Sequence, residues 1–293
     1  MQKFRTIIPN IVLPFAITLL TISLMPRDDN AQGASNTTAA VTFTSVDAQG
    51  AQTADSAASF FQAGEKLEYK VTFLSFTLGT LILTADSIVN EDGSNVLMTH
   101  IRLDSRPGIP FLNAHAVDET QFDEGGFTRL CVESEEESDG QWGYCKFQPD
   151  YSNQKLIVEK GIGSRIINQK EISTPFKYND GLSTICFIRK NLAGKKYCLI
   201  HALGSSDTGR TIINFTNERD TKSINALDYP VDCLHFKGRI YMKGIYGFTG
   251  DFEGWFSNDD ARVPIKVQLN LYLGSATLEL VKWQRAGWTP PHG

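Results

Sequence analysis

The sequence predicts an all-β fold: a single large curved antiparallel sheet, half-barrel or barrel-like, with one short helix. Three observations carry this. Segments of alternating apolar and polar residues recur along most of the chain, separated by Gly, Asn, Asp and Ser. Only one stretch spaces its apolar residues as a helix does. There is no long repeat and no alternation of strand with helix, which excludes parallel α/β architectures. At 41% apolar and 21% charged over 293 residues, the composition suits a globular chain with a core. Length alone is compatible with one large β domain or two ordinary ones.

Residues 1–25 read as a signal peptide or N-terminal anchor. Lys3 and Arg5 precede an apolar run from Ile11 to Met25, the order of a secretory leader. Counted from Ile7, the run would make about 28 Å of helix, close to the roughly 30 Å hydrocarbon core of a bilayer. An uncleaved anchor is therefore the alternative to a cleaved signal, and it would bring membrane association with it. Pro9, Asn10 and Pro14 weaken a spanning helix, and no cysteine follows the run to accept a lipid. Residues 26–58 are small, polar and aperiodic, the composition of a disordered linker. The expected location is exported, periplasmic or membrane-anchored facing the periplasm.

A β-rich domain is expected over residues 59–285, with a tail at 286–293. Leu67, Tyr69, Val71 and Phe73 alternate with Glu68, Lys70 and Thr72, the period of a strand with one buried face. Gly79 breaks the chain before a strand over 80–88, Asp92-Gly93 turns it, and residues 96–103 form the next. A hairpin spans 127–147. Further strands are expected over 164–169, 196–201, 210–215, 231–241, 248–256, 263–271 and 276–283, about ten to twelve in all. Between them, Leu182, Ile185, Cys186, Ile188 and Arg189 have helical spacing, with Asp180 placed as N-cap. Gly250 and Gly254, beside Phe252 and Phe256, mark either a sharply coiled strand or relief of crowding next to aromatics.

The cysteines are Cys131, Cys145, Cys186, Cys198 and Cys233. They show no C-x-x-C pair and no metal-ligand spacing with histidine, so no metal site is expected. Cys131 and Cys145 are centred on Ser138, and a loop over 135–141 would set them opposite each other for a disulfide. A tight turn at Asp139-Gly140 would put them out of register. Five buried thiols are the alternative.

Three stretches carry a family likeness: Phe61-Gln62-Ala63-Gly64-Glu65-Lys66-Leu67-Glu68-Tyr69, Phe76-Thr77-Leu78-Gly79-Thr80, and Gly254-Trp255-Phe256-Ser257-Asn258-Asp259-Asp260 through Arg262-Val263-Pro264. With Asp180-Gly181-Leu182-Ser183 through Arg189, they resemble the exported bacterial family labelled domain of unknown function 3108. That family's pattern runs Gly-Glu-x-Leu-x-Tyr, a Gly-Thr or Gly-Ser strand, Asp-x-Leu-Ser-x-x-x-x-x-Arg, then Trp-x-Ser-x-Asp before a Val-Pro strand. The family more often has tyrosine in the helix. The resemblance covers roughly residues 60 to 283 and implies bacterial export and a β-rich fold. It implies no reaction, cofactor or catalytic residue.

No G-x-S-x-G or H-E-x-x-H is present, and the histidines are scattered, so neither serine nor zinc hydrolase chemistry has its local residues. The net charge of −5 and the absence of a Lys/Arg cluster interleaved with aromatics exclude nucleic acid as an expected partner. The densest carboxylate group, Asp251, Glu253, Asp259 and Asp260, suits either acid–base work on glycans or simple turn hydrogen bonding. Glu133, Glu135, Glu136 and Glu137 read as a solvated hairpin tip. A wide curled sheet with an aromatic face leaves room for a ligand. The face comprises Phe73, Phe76, Phe111, Phe248, Phe252, Trp255 and Phe256. Of these, Phe73, Phe248, Phe252 and Trp255 are the candidate ligand-lining residues, with Arg189 for a head group or, more simply, for an ion pair with Asp180 or a strand carboxylate. The expected function is a non-enzymatic envelope binding or carrier protein for an apolar small molecule, a lipid or a lipidated protein. It needs no cofactor. A structural factor that docks another envelope protein is the alternative, and a glycan-acting enzyme the third.

Overall fold

The computed structural model describes residues 60–91, 94–109, 112–204, 207–241, 249–271 and 274–293. The expected leader and linker, and the Asp92-Gly93 turn, lie outside them. Fifteen strands and one helix follow in order: β1 (Lys66–Phe73), β2 (Phe76–Glu91), β3 (Ser94–Ser105), β4 (His115–Asp123), β5 (Thr128–Glu136), β6 (Trp142–Asp150), β7 (Lys155–Ile162), β8 (Arg165–Ser173), β9 (Tyr178–Asn179), α1 (Gly181–Asn191), β10 (Lys196–Gly204), β11 (Asp207–Lys222), β12 (Val231–Ile240), β13 (Gly250–Ser257), β14 (Pro264–Asn270) and β15 (Ser275–Gln284).

All fifteen belong to one sheet, ordered β8 through β1, then β15 back to β9. The chain meanders outward from the centre along one wing, crosses after β8, and meanders back to the centre along the other. β1 and β15 pair antiparallel in the middle, Lys66 opposite Gln284 and Phe73 opposite Ala276. Every pairing is antiparallel except the short β9–β10 contact. The count exceeds the ten to twelve strands the alternation suggests. Three strands are not among those expected: β4 carries Asp118 and Thr120 among its buried residues, so its pattern hides from an apolar period-two reading; in β7 a short apolar run is broken by Glu159, Lys160 and Gly161; and β9 has two residues. Gly79 does not break the chain. It lies inside β2, where an added Cβ would sit 2.3 Å from the carbonyl oxygen of Asp104 on β3.

The helix lies in the trough of the sheet. Asp180 caps it, accepting from the backbone N–H groups of Leu182 and Ser183 while the Ser183 side chain returns the bond. Leu182 and Cys186 join the core of β1–β4, and Phe187, Ile188 and Leu192 pack on Phe215, Phe236 and Phe256 of the other wing. A third cluster, Phe147, Leu156 and Val158 with Tyr178 and Leu203, brings β9 and β10 across onto β6 and β7. Side-chain packing thus draws the sheet round where its hydrogen bonds leave it open. The tail is docked: Asp232 N donates to Pro291 O at 3.0 Å, and His292 stacks on Tyr229 at 3.6 Å.

Candidate functional site

Three of the stretches that carry the family likeness meet in space, through Phe61 and Glu65, Arg189, and Arg262, and what they build is a buried polar frame. Arg189 is wholly buried and donates from Nη1 to Glu65 Oε1 at 2.8 Å. Its Nε donates to the carbonyl of Arg262 at 3.1 Å, and its guanidinium lies 4.6 Å from the centre of the Phe61 ring. Arg285 donates to the other oxygen of Glu65. Arg262 donates back to the carbonyls of Arg189 and Lys190 at the end of α1, at 2.7 and 3.1 Å. The partner of Arg189 is therefore Glu65, not Asp180, and a guanidinium sealed this way locks helix to sheet instead of facing a ligand. Asp180 instead accepts from Thr120 and Thr128 at 3.0 and 2.6 Å. Glu65 was legible: by period two it shares the buried face of Leu67, Tyr69 and Val71.

The concave face shows a graded interior. Near the helix its apolar side chains are sealed: Leu67, Ile265 and Leu280 at 0% exposure and Phe236 and Phe256 at 1%. Moving along the same strands away from the helix, Phe73, Ile240, Val267, Leu269, Leu271 and Leu278 face the same way but are only half-buried. Phe76, the cross-strand partner of Phe73, is 73% exposed. The trough is plugged at the helix end and wet at the other.

The candidate aromatic face divides. Phe252 and Phe256 point into the trough, where Phe236 lies edge-on between them at 6.3 and 5.0 Å. Gly254 lies under the Phe236 ring, which an added Cβ would meet at 2.4 Å, so this glycine relieves crowding. Trp255 alternates to the convex side. There it stacks on His235 at 4.9 Å, lies beneath Lys222 at 4.2 Å, and donates to Asp220 at 2.8 Å. Phe252 and Trp255 cannot line one pocket. Phe248 and Phe111 lie outside the described residues.

The acidic group does not converge. Asp251 is held by Arg239, which keeps its carboxyl below the usual range, and Glu253 meets His235 at 3.1 Å. Asp259 closes its own turn, accepting from the Ser257 hydroxyl, from Ala261 and Arg262 N–H and from the Trp288 indole N–H. Asp251 is the second residue of β13 and Asp259 lies just past its other end, roughly 20 Å away at strand rise. The hairpin acids are not simply solvated either: Asp118 and Glu133 face each other across β4 and β5, and burial with Glu137 nearby pushes Glu135 up.

Cys131 stands opposite Phe147, and Cys145 opposite Glu133. A three-residue turn over 138–140, closed by Glu137 N donating to Gln141 O at 2.7 Å, forms instead of either expected loop, so the two cysteines do not face each other, and both thiols are free. Burial pushes Cys145, Cys186 and Cys233 up to about 12, which keeps them as unreactive thiols. Among the described residues no group of His, Cys, Asp and Glu could hold a metal ion.

No family model and no curated protein matches the chain. Among solved structures, a β-barrel-like protein of domain of unknown function 1849 from Brucella abortus is similar at a TM-score of 0.52 and 10% identity, over 76% of this chain and 97% of that one. A protein from Bacteroides fragilis, described as exported with a YmcC-like fold, gives a TM-score of 0.33 at 8% identity over 76% and 97%. One from Parabacteroides distasonis, described as a lipoprotein, gives 0.31 at 9% over 76% and 96%. The Brucella likeness is one of fold: this chain is a curved, unclosed, barrel-like sheet around a single helix.

Proposed function

We propose that the protein is a non-enzymatic envelope protein that holds an apolar ligand, a lipid or the acyl chain of a lipidated protein, in the open end of its trough. The observation that carries this reading is the exposure gradient. Apolar side chains on a concave face lose water as the trough narrows toward α1 and keep it at the far end, where a ligand would remove it. Phe73, Leu269 and Leu271 then take the lining role, while Arg189 serves the frame and Trp255 packs on the convex side. Asp118, Glu133 and Glu135 give the opposing wall a polar character that suits an amphiphile. The leader-like N-terminus and the motif resemblance to the exported family 3108 support the envelope location.

The test is to purify the exported chain under native conditions, extract it for mass spectrometry, and titrate a fluorescent fatty acid. A near-stoichiometric apolar molecule is expected. Leu269→Asp should weaken uptake about tenfold or more, since burying one leucine side chain is worth about 1.5–3 kcal/mol, with the melting temperature little changed. An apo protein that takes up no fatty acid rejects the reading.

A second reading has its own observation. β8 is an outer strand with every residue exposed but Ile172, including Ile166 at 55% and Ile167 at 57%. Its free edge is a template for strand addition by another envelope protein, and a chain without ligand would favour it.

A further inference from the structure

A groove of about 410 Å3 lies on the convex face, away from the trough, across β1, β15 and β14 and beneath Asn225 of the β11–β12 connection. Its floor is set by register. Glu279 on β15 is the direct cross-strand partner of Lys70 on β1 and of Lys266 on β14, so three charged side chains stand in one row. Glu279 is 8% exposed, and its Oε1 accepts from Asn225 N at 3.0 Å and Asn225 Nδ2 at 2.6 Å. Burial pushes the Glu279 carboxyl up, but the Asn225 bonds and the two lysines outweigh this and hold it below the usual range. It is therefore an anion, and the row carries two positive charges against one negative.

The two ammonium groups are under-used. Lys70 Nζ and Lys266 Nζ stand 3.8 and 3.6 Å from the Glu279 oxygens, beyond hydrogen-bonding length. Neither donates a hydrogen bond to any described residue. Both are partly sheltered, at 31% and 26% side-chain exposure. Hydroxyls of Thr72, Ser275 and Thr277 line the same groove, and Leu74 forms an apolar wall. Leu74 and Ser75 hold positive φ values of 46° and 71°, a conformation that costs most residues energy.

We infer that this groove binds a phosphate-bearing head group. A tetrahedral phosphate presents acceptors in several directions at once, so it takes donors from two lysines on opposite sides of a fixed carboxylate and from the hydroxyls of the adjoining row, where Thr72 stands opposite Thr277. The volume lies within the range of about 300–1,000 Å3 usual for small-molecule sites, which leaves space for the group the phosphate is esterified to. The site is separate from the trough and stands or falls independently of what the trough holds.

Two probes test it on the intact chain: glycerol 3-phosphate, followed by calorimetry, and phosphatidylglycerol vesicles, scored against vesicles of an uncharged glycolipid. At least one should bind. Lys70→Gln and Lys266→Gln should each weaken that binding about tenfold, the worth of one charge-assisted hydrogen bond. Glu279→Gln, which still accepts from Asn225, should tighten it several-fold, a gain that a merely structural row would not show. Binding of glycerol 3-phosphate without vesicle binding supports the site with a soluble phosphate ester as its source. Vesicle binding that Leu74→Ser lowers supports it with a lipid head group as its source. Failure of both probes, or binding indifferent to the two lysine substitutions, overturns the inference.

Discussion

At the scale of the residue, Glu65 bears the largest electrostatic duty in the fold. Two guanidinium groups, those of Arg189 and Arg285, converge on its wholly buried carboxylate. Charges removed from solvent are tolerable only while each is paired, and removing one partner leaves the others uncompensated. Glu65→Ala should therefore cost about 3–5 kcal/mol in denaturant unfolding. The pair Glu65→Ala with Arg189→Met should recover part of that loss, because the second change removes the stranded charge. A loss in the double variant equal to the sum of the Glu65→Ala and Arg189→Met losses would show that the frame is not coupled. The pairing was within reach of the sequence, since Glu65 follows the buried parity of β1. Its distance in the chain from Arg189 hid the partner. The opposite holds for Trp255 and Phe252: three positions apart on a strand, they must face opposite ways, and parity alone separates them.

Among the elements, the tightest local conflict is the β1–β2 turn. A two-residue hairpin with positive φ at both central positions is a type I′ turn, which favours Asn-Gly, yet Leu74-Ser75 occupies it. Replacing the pair by Asn-Gly should raise stability by about 1–2 kcal/mol in thermal or denaturant melts, unless Leu74 contributes packing that outweighs the strain. No change or a loss would assign Leu74 that packing role. Legibility across the elements followed the chemistry of their buried faces. β1 and the β14–β15 hairpin alternate cleanly because their inner residues are apolar, and α1 is marked by its Asp180 cap. β4 was missed because Asp118 and Thr120 occupy inward positions. The cysteine hairpin turned on a shift of one residue in its loop, which composition cannot weigh. Of the candidate lining, Phe73 lies on the half-buried stretch of the concave face, where Leu269 and Leu271 alternate as ordinary core residues do.

For the whole molecule, one pairing decides integrity. β1 and β15 join the two wings at the centre of the sheet, so the longest separation in sequence is spanned by the most central contact. A chain ending at residue 274, without β15 and the docked tail, should lose its cooperative thermal transition, while retention of a sharp melt near the full-length temperature would show that the wings stand alone. The same connectivity has a bearing on the order in which such a chain can fold. Made N-terminus first, β1 emerges early and waits with one flank open, because its neighbour is the last strand to arrive. Neither wing can be sealed to the other until Gln284 has been added. The contact that joins the wings closes the longest loop in the chain, so closure of the sheet comes last.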